Sequence, residues 1–105
     1  MVVRWTPEAW MQLKDIYKYY LNVAGLRTAE EVRKEIRDTA NKLARFPLLG
    51  PTEENVNLEN SHNYRSLVVN KNYKIIYQID DEQVFIMAIW DTRQNPLKLE
   101  NILDK

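Results

Sequence analysis

The chain has 105 residues, 45% of them apolar and 29% charged, which suits a single globular domain over residues 1–105 and excludes a low-complexity or disordered protein. Fifteen Lys and Arg balance fifteen Asp and Glu, so the net charge is zero and any polyanion must be met by a local patch rather than by an overall field. With no Cys, disulfides, thiolate metal sites and a Cys nucleophile are all excluded.

Met1-Val2-Val3-Arg4-Trp5 alternates as a short first strand. Thr6 then supplies an N-cap and Pro7 the first helical position. Ala9, Leu13, Ile16, Tyr17 and Tyr20 recur at helical spacing as one apolar stripe, with Gln12, Lys14, Asp15 and Lys18 facing elsewhere, so this helix runs to about Val23. Gly25 ends it. Thr28-Ala29-Glu30-Glu31 reads as a capping box opening a second helix, whose buried face is Val32, Ile36, Ala40 and Leu43. Phe46-Pro47 and Gly50-Pro51 stop that helix. A polar surface loop with Glu53, Glu54 and Glu59 leads to Asn63.

Three strands follow, 64–69, 73–79 and 84–90, each rich in β-branched and aromatic residues and separated by polar turns. Leu97, Leu99, Ile102 and Leu103 mark a C-terminal tail or short helix. The order βααβββ segregates helices from most strands, so the predicted class is α+β, a two-helix hairpin packed on one face of a largely antiparallel sheet. Hairpin loop parity decides which side chains share a face, because a one-residue slip inverts a strand. With even loops, Tyr73, Ile75, Tyr77 and Ile79 join Tyr64, Val68, Val84, Ile86, Ala88 and Trp90 in the helical core. Arg65 and Lys74 then share the open face with the apolar patch Leu67, Ile76, Phe85, Met87 and Ile89.

Phe46-Pro47 with Gly50, then Tyr64-Arg65-Ser66-Leu67, Tyr73-Lys74-Ile75-Ile76-Tyr77 and Asp91-Thr92-Arg93-Gln94-Asn95-Pro96, form an ordered set that resembles the RelE/ParE toxin superfamily across nearly the whole chain. That resemblance implies the toxin of a bacterial type II toxin-antitoxin, or plasmid stabilisation, module. It implies a cytoplasmic protein with no cofactor and no metal. Its partners would be a cognate antitoxin and either the ribosome with messenger RNA or DNA gyrase, with operator DNA reached only through the antitoxin complex and no membrane contact. The lack of a signal-peptide pattern and of any membrane-length apolar run agrees with this location.

The RNA-cutting branch drives a ribose 2′-hydroxyl onto the adjacent phosphate, which calls for a base, an acid and cations. Arg65, Lys74 and Arg93 fall where the resemblance places catalytic cations. Leu67 stands where a second strand Lys is often found, no Tyr or His follows Tyr77, and the only His is His62 before the first meander strand. The plainer alternatives pair Arg65 with Asp91 across the sheet, let Arg93 fix the turn into the tail, and let Lys74 keep a sheet face soluble. A member that has lost its chemistry and only binds antitoxin is the rival reading. The patch Leu67, Ile76, Phe85, Met87 and Ile89 is the expected antitoxin surface.

Overall fold

In the computed structural model, which describes residues 1–53 and 63–93, the elements are β1 (Val2–Trp5), α1 (Pro7–Val23), α2 (Leu26–Lys42), β2 (Tyr64–Val69), β3 (Tyr73–Asp80) and β4 (Gln83–Asp91). The expected order βααβββ is therefore observed. Thr6 caps α1 as the sequence indicates: its Oγ1 accepts from Ala9 N at 3.2 Å and donates to Ile86 O at 3.0 Å, tying the helix start to β4. The start of α2 differs from expectation. Gly25 adopts φ +95° and lets the chain reverse at once, so α2 begins at Leu26 and Thr28 lies within its first turn rather than capping it. Glu31, freed from a capping box, pairs with Arg27 one turn away.

The sheet order is β1-β4-β3-β2, with β1 parallel to β4 and the other pairs antiparallel. Ala9 and Leu13 of α1 and Val32, Ile36, Ala40 and Leu43 near α2 bury against Val69, Tyr73, Ile75, Tyr77, Val84, Ile86 and Ile89. Full burial of one such aliphatic side chain contributes about 1.5–3 kcal/mol, against tenths for helix propensity, so packing rather than propensity holds the hairpin on the sheet.

Two features correct the expected register. Val69 pairs with Tyr73, leaving the odd loop 70–72, in which Asn70 and Lys71 take φ of 53° and 59°. The odd loop turns β2 over: Leu67 and Val69 face the helices, whereas Tyr64 lies on the other face and Val68 is exposed there. The second hairpin is even, with Asp80 opposite Gln83, so Val84 and Ile86 enter the core as expected. Met87 then forms a bulge, because Ile76 pairs with Ala88 while Tyr77 pairs with Ile86. Beyond the bulge the faces exchange. Ala88 and Trp90 join Tyr64 and Ile76 in a second buried cluster on the face away from the helices, and Ile89 joins the helical core. Gln12 closes this irregular edge by accepting from Ile89 N at 2.7 Å.

After α2 the chain crosses one end of the sheet, from Ala44, whose carbonyl accepts from the Met1 ammonium, to β2. There Thr52 bridges Arg65, Ser66 N donates to Pro51 O and Glu53 N donates to Tyr64 O, both at 2.9 Å. The crossing is held from inside by Tyr77, whose hydroxyl donates to Pro47 O at 2.7 Å and accepts from Gly50 N at 2.9 Å. Glu53 is buried, not part of a surface loop as its polar surroundings indicated. Glu54, Glu59, His62 and the tail from Leu97 to Leu103 lie outside the described residues.

Candidate functional site

The three cations expected to clamp a phosphate do not converge. Arg65 pairs opposite Tyr77 and sends Nη1 to Gly50 O at 2.8 Å, so its guanidinium secures the crossing segment rather than Asp91. Lys74 lies on the other face, opposite Val68 and Trp90, with Nζ 3.2 Å from a Glu53 carboxylate whose side chain is 2% exposed. It neutralises a buried charge instead of solubilising the sheet. Arg93 follows β4 and grips Asp91 with two side-chain bonds of 2.9 and 2.7 Å, its own N–H adding a third. Each cation is thus engaged by a different oxygen, and the sheet itself separates Arg65 from Lys74.

The Arg93–Asp91 grip fixes the turn that leaves β4, as the plainer reading of Arg93 expected, and Thr92 reinforces it by donating its N–H to Asn72 O at 2.8 Å. Hydrogen bonding to Arg93 lowers the Asp91 pKa, and the same pair raises that of Arg93. Next to it, burial and the 3.3 Å contact with the Tyr20 hydroxyl raise the Tyr73 pKa, so that phenol is neutral at physiological pH. Because the folded Asp91 pKa lies below its unfolded value of roughly 3.9, its stabilisation is complete above that pH and is lost as pH falls through the folded value. Asp91→Asn is therefore expected to flatten this part of the acid limb in thermal midpoints measured against pH. An unchanged limb would remove the pair from the stability of the turn.

The five residues expected to form one open apolar patch are dispersed by the loop and the bulge. Leu67 and Ile89 face the helices, and Ile76 is fully buried in the second cluster. Phe85 and Met87 alone remain half-buried on the side away from the helices. Apolar side chains are barer elsewhere: Phe46 and Leu48 after α2 are 56% and 66% exposed, and on α1 Trp10 and Met11 are 52% and 65% exposed. The only signal of the α1 pair in the sequence is position: they are apolar yet sit outside the Ala9–Leu13–Ile16–Tyr20 stripe. Tyr17, assigned to that stripe, instead bonds Glu30 at 3.1 Å and lies under Arg33.

Among the described residues no group of three or more His, Asp or Glu is placed to hold a metal, and no helix is long and apolar enough to cross a membrane. A family model described as "ParE toxin of type II toxin-antitoxin system, parDE" matches residues 3–96. The chromosomal ParDE TA system from P. aeruginosa has the same fold, with a TM-score of 0.71 at 20% identity over 87% of this chain and 95% of that chain. No curated protein sequence matches.

Proposed function

Because the chain belongs to the ParE toxin family of type II toxin-antitoxin systems, we propose that its free form arrests bacterial growth by poisoning DNA gyrase and that a cognate antitoxin neutralises it. The observation that carries the choice of target is the separate engagement of Arg65, Lys74 and Arg93 by Gly50 O, Glu53 and Asp91. Cleavage of RNA by its own 2′-hydroxyl needs cations aimed together at one phosphate, with preorganisation that costs nothing at the moment of reaction. Here Arg65 and Lys74 would each have to leave a structural partner and reach the substrate from opposite faces of a four-stranded sheet. Poisoning a topoisomerase asks only for a rigid surface complementary to the enzyme, and the cross-braced sheet end supports that role.

Induced expression without antitoxin should stop growth, and the purified protein should inhibit supercoiling by gyrase while leaving cellular messenger RNA intact in primer extension. New 5′ ends with normal supercoiling would transfer the reading to RNA cleavage by the Arg65, Lys74 and Arg93 set. Undiminished growth at high soluble expression would leave only an antitoxin-binding module.

A further inference from the structure

We propose that the segment crossing the end of the sheet is the surface that meets gyrase, with Phe46, Leu48 and Leu49 entering an apolar pocket of that enzyme as one knob. The proposal rests on the gyrase reading above and adds to it the place of contact. Phe46, Leu48 and Leu49 are 56%, 66% and 49% exposed, three large apolar side chains within four residues. A turn gathers them, since Leu49 N donates to Phe46 O at 3.1 Å. None of the three belongs to either buried cluster, so folding does not explain their apolar character. The backbone beneath them is nevertheless tied down. The Tyr77 hydroxyl donates to Pro47 O and accepts from Gly50 N, Arg65 Nη1 donates to Gly50 O, and the Met1 ammonium donates to Ala44 O. The ordering that a partner would otherwise impose is already met in the free protein, which lowers the cost of binding.

Area, shape and charge narrow the occupant. Three side chains fall short of the roughly 800 Å² that each partner of a stable dimer buries, so they do not hold a second copy of this chain. A helical or extended peptide needs a groove or a bare strand edge, and the adjacent edge of β2 is taken by the Thr52–Arg65 bridge and the bonds Ser66 N–Pro51 O and Glu53 N–Tyr64 O. A folded enzyme with a pocket supplies what remains, a few anchors buried at the centre of a larger contact. Lys42 and Arg45 precede the knob, and Asp80, Asp81 and Glu82 lie at the same end of the sheet, where Glu82 O accepts from Val2 N at 3.2 Å. Among the described residues none of these five is in an ion pair, so the rim is of mixed sign. Free carboxylates beside the cations do not suit phosphates, which assigns the contact to the protein of gyrase rather than to its DNA.

The test uses the full chain, purified gyrase with relaxed plasmid, and the purified antitoxin that restores growth on co-expression. Phe46→Glu and Leu48→Glu alter exposed side chains, so their thermal midpoints and their antitoxin affinity in calorimetry should stay at the wild-type values. Each should raise the concentration needed to inhibit supercoiling by about thirtyfold or more, the loss expected at an interface hot spot. Leu48→Met, which keeps the side chain apolar, should inhibit almost as wild type, and so should Val68→Glu, 56% exposed on the sheet face away from the helices. Full inhibition by both glutamate variants of the knob overturns the proposal, and a loss confined to Val68→Glu moves the contact to the sheet. Weakened antitoxin binding with unchanged inhibition would make the knob an antitoxin anchor instead. A wild-type dimer that Leu48→Glu dissolves in sedimentation, again with unchanged inhibition, would make it a contact between copies. A wild-type chain that leaves supercoiling untouched sinks the gyrase reading itself, which no behaviour of the variants can do.

Discussion

Gly50→Ala is expected to destabilise the protein by about 3 kcal/mol and to lower its thermal midpoint by roughly 12–24 °C. A β-carbon at Gly50 would stand 2.3 Å from Ser66 O, 2.8 Å from Ser66 C and 3.0 Å from Tyr77 Cε1. Two of those atoms are strand backbone and the third belongs to a fully buried ring, so nothing nearby is a flexible side-chain tip that can swing aside. The crossing segment must retreat. Retreat stretches the Ser66–Pro51 bond, the Gly50–Tyr77 bond and the Arg65–Gly50 bond together. Tyr77→Phe separates the two contributions, since it keeps the ring and removes only the hydroxyl. It leaves Gly50 N–H and Pro47 O without that partner and should cost about 1–3 kcal/mol. Chemical denaturation of both variants measures this, and wild-type stability in Gly50→Ala would mean that the segment does not lie against β2 as drawn.

Lys74→Met should cost about 3 kcal/mol, at the low end of the range for breaking a buried ion pair. Methionine keeps most of the aliphatic stem, so packing changes little, but the Glu53 carboxylate at 2% side-chain exposure loses its cation. The low end applies because Lys74 itself is 23% exposed and sits 3.2 Å and 3.5 Å from the two carboxylate oxygens, a loose pairing. Replacing both members, Glu53→Leu with Lys74→Met, should restore stability to within about 1 kcal/mol of wild type, because the desolvation of both charges disappears together. A denaturant double-mutant cycle reads the coupling. Strictly additive single effects would show that the pair is not what stabilises this face. Were Lys74 a phosphate ligand instead, Lys74→Met would abolish activity with the fold unharmed.

Local chemistry was legible in the sequence and long-range geometry only in part. Thr6 and Pro7 announce α1, and the strands fall within a residue or two of their apolar runs, because caps and periodicity are encoded by neighbours. The faces of β2 and of late β4 were not legible. They depend on Asn70 and Lys71 both entering the left-handed region and on Met87 bulging, and neither residue type demands such a conformation. One extra residue in each place moved Leu67 and Ile89 into the helical core and Ala88 and Trp90 out of it. Arg65, Lys74 and Arg93 stand out in the sequence as charges beside apolar runs, and the structure gives each a partner. The partner of Lys74 was invisible, because Glu53 sits in a polar stretch and reaches this face through the Thr52–Arg65 bridge and the bonds Ser66 N–Pro51 O and Glu53 N–Tyr64 O.

The parallel pairing of β1 with β4 also sets an order in time. Thr6 bonds to Ile86 across 80 residues of chain, and the register Val2–Trp5 on Gln83–Ile86 spans a similar distance. At a synthesis rate of about 5–20 residues per second, β1 waits roughly 4–16 s for the strand it pairs with. The helical hairpin and the β2–β3 hairpin are closed by short loops and can assemble during that interval. β1 cannot. Closure of this loop, the largest among the described residues, with its entropy set against only a four-residue ladder, comes after the two hairpins, and the sheet is complete only once β4 has been made.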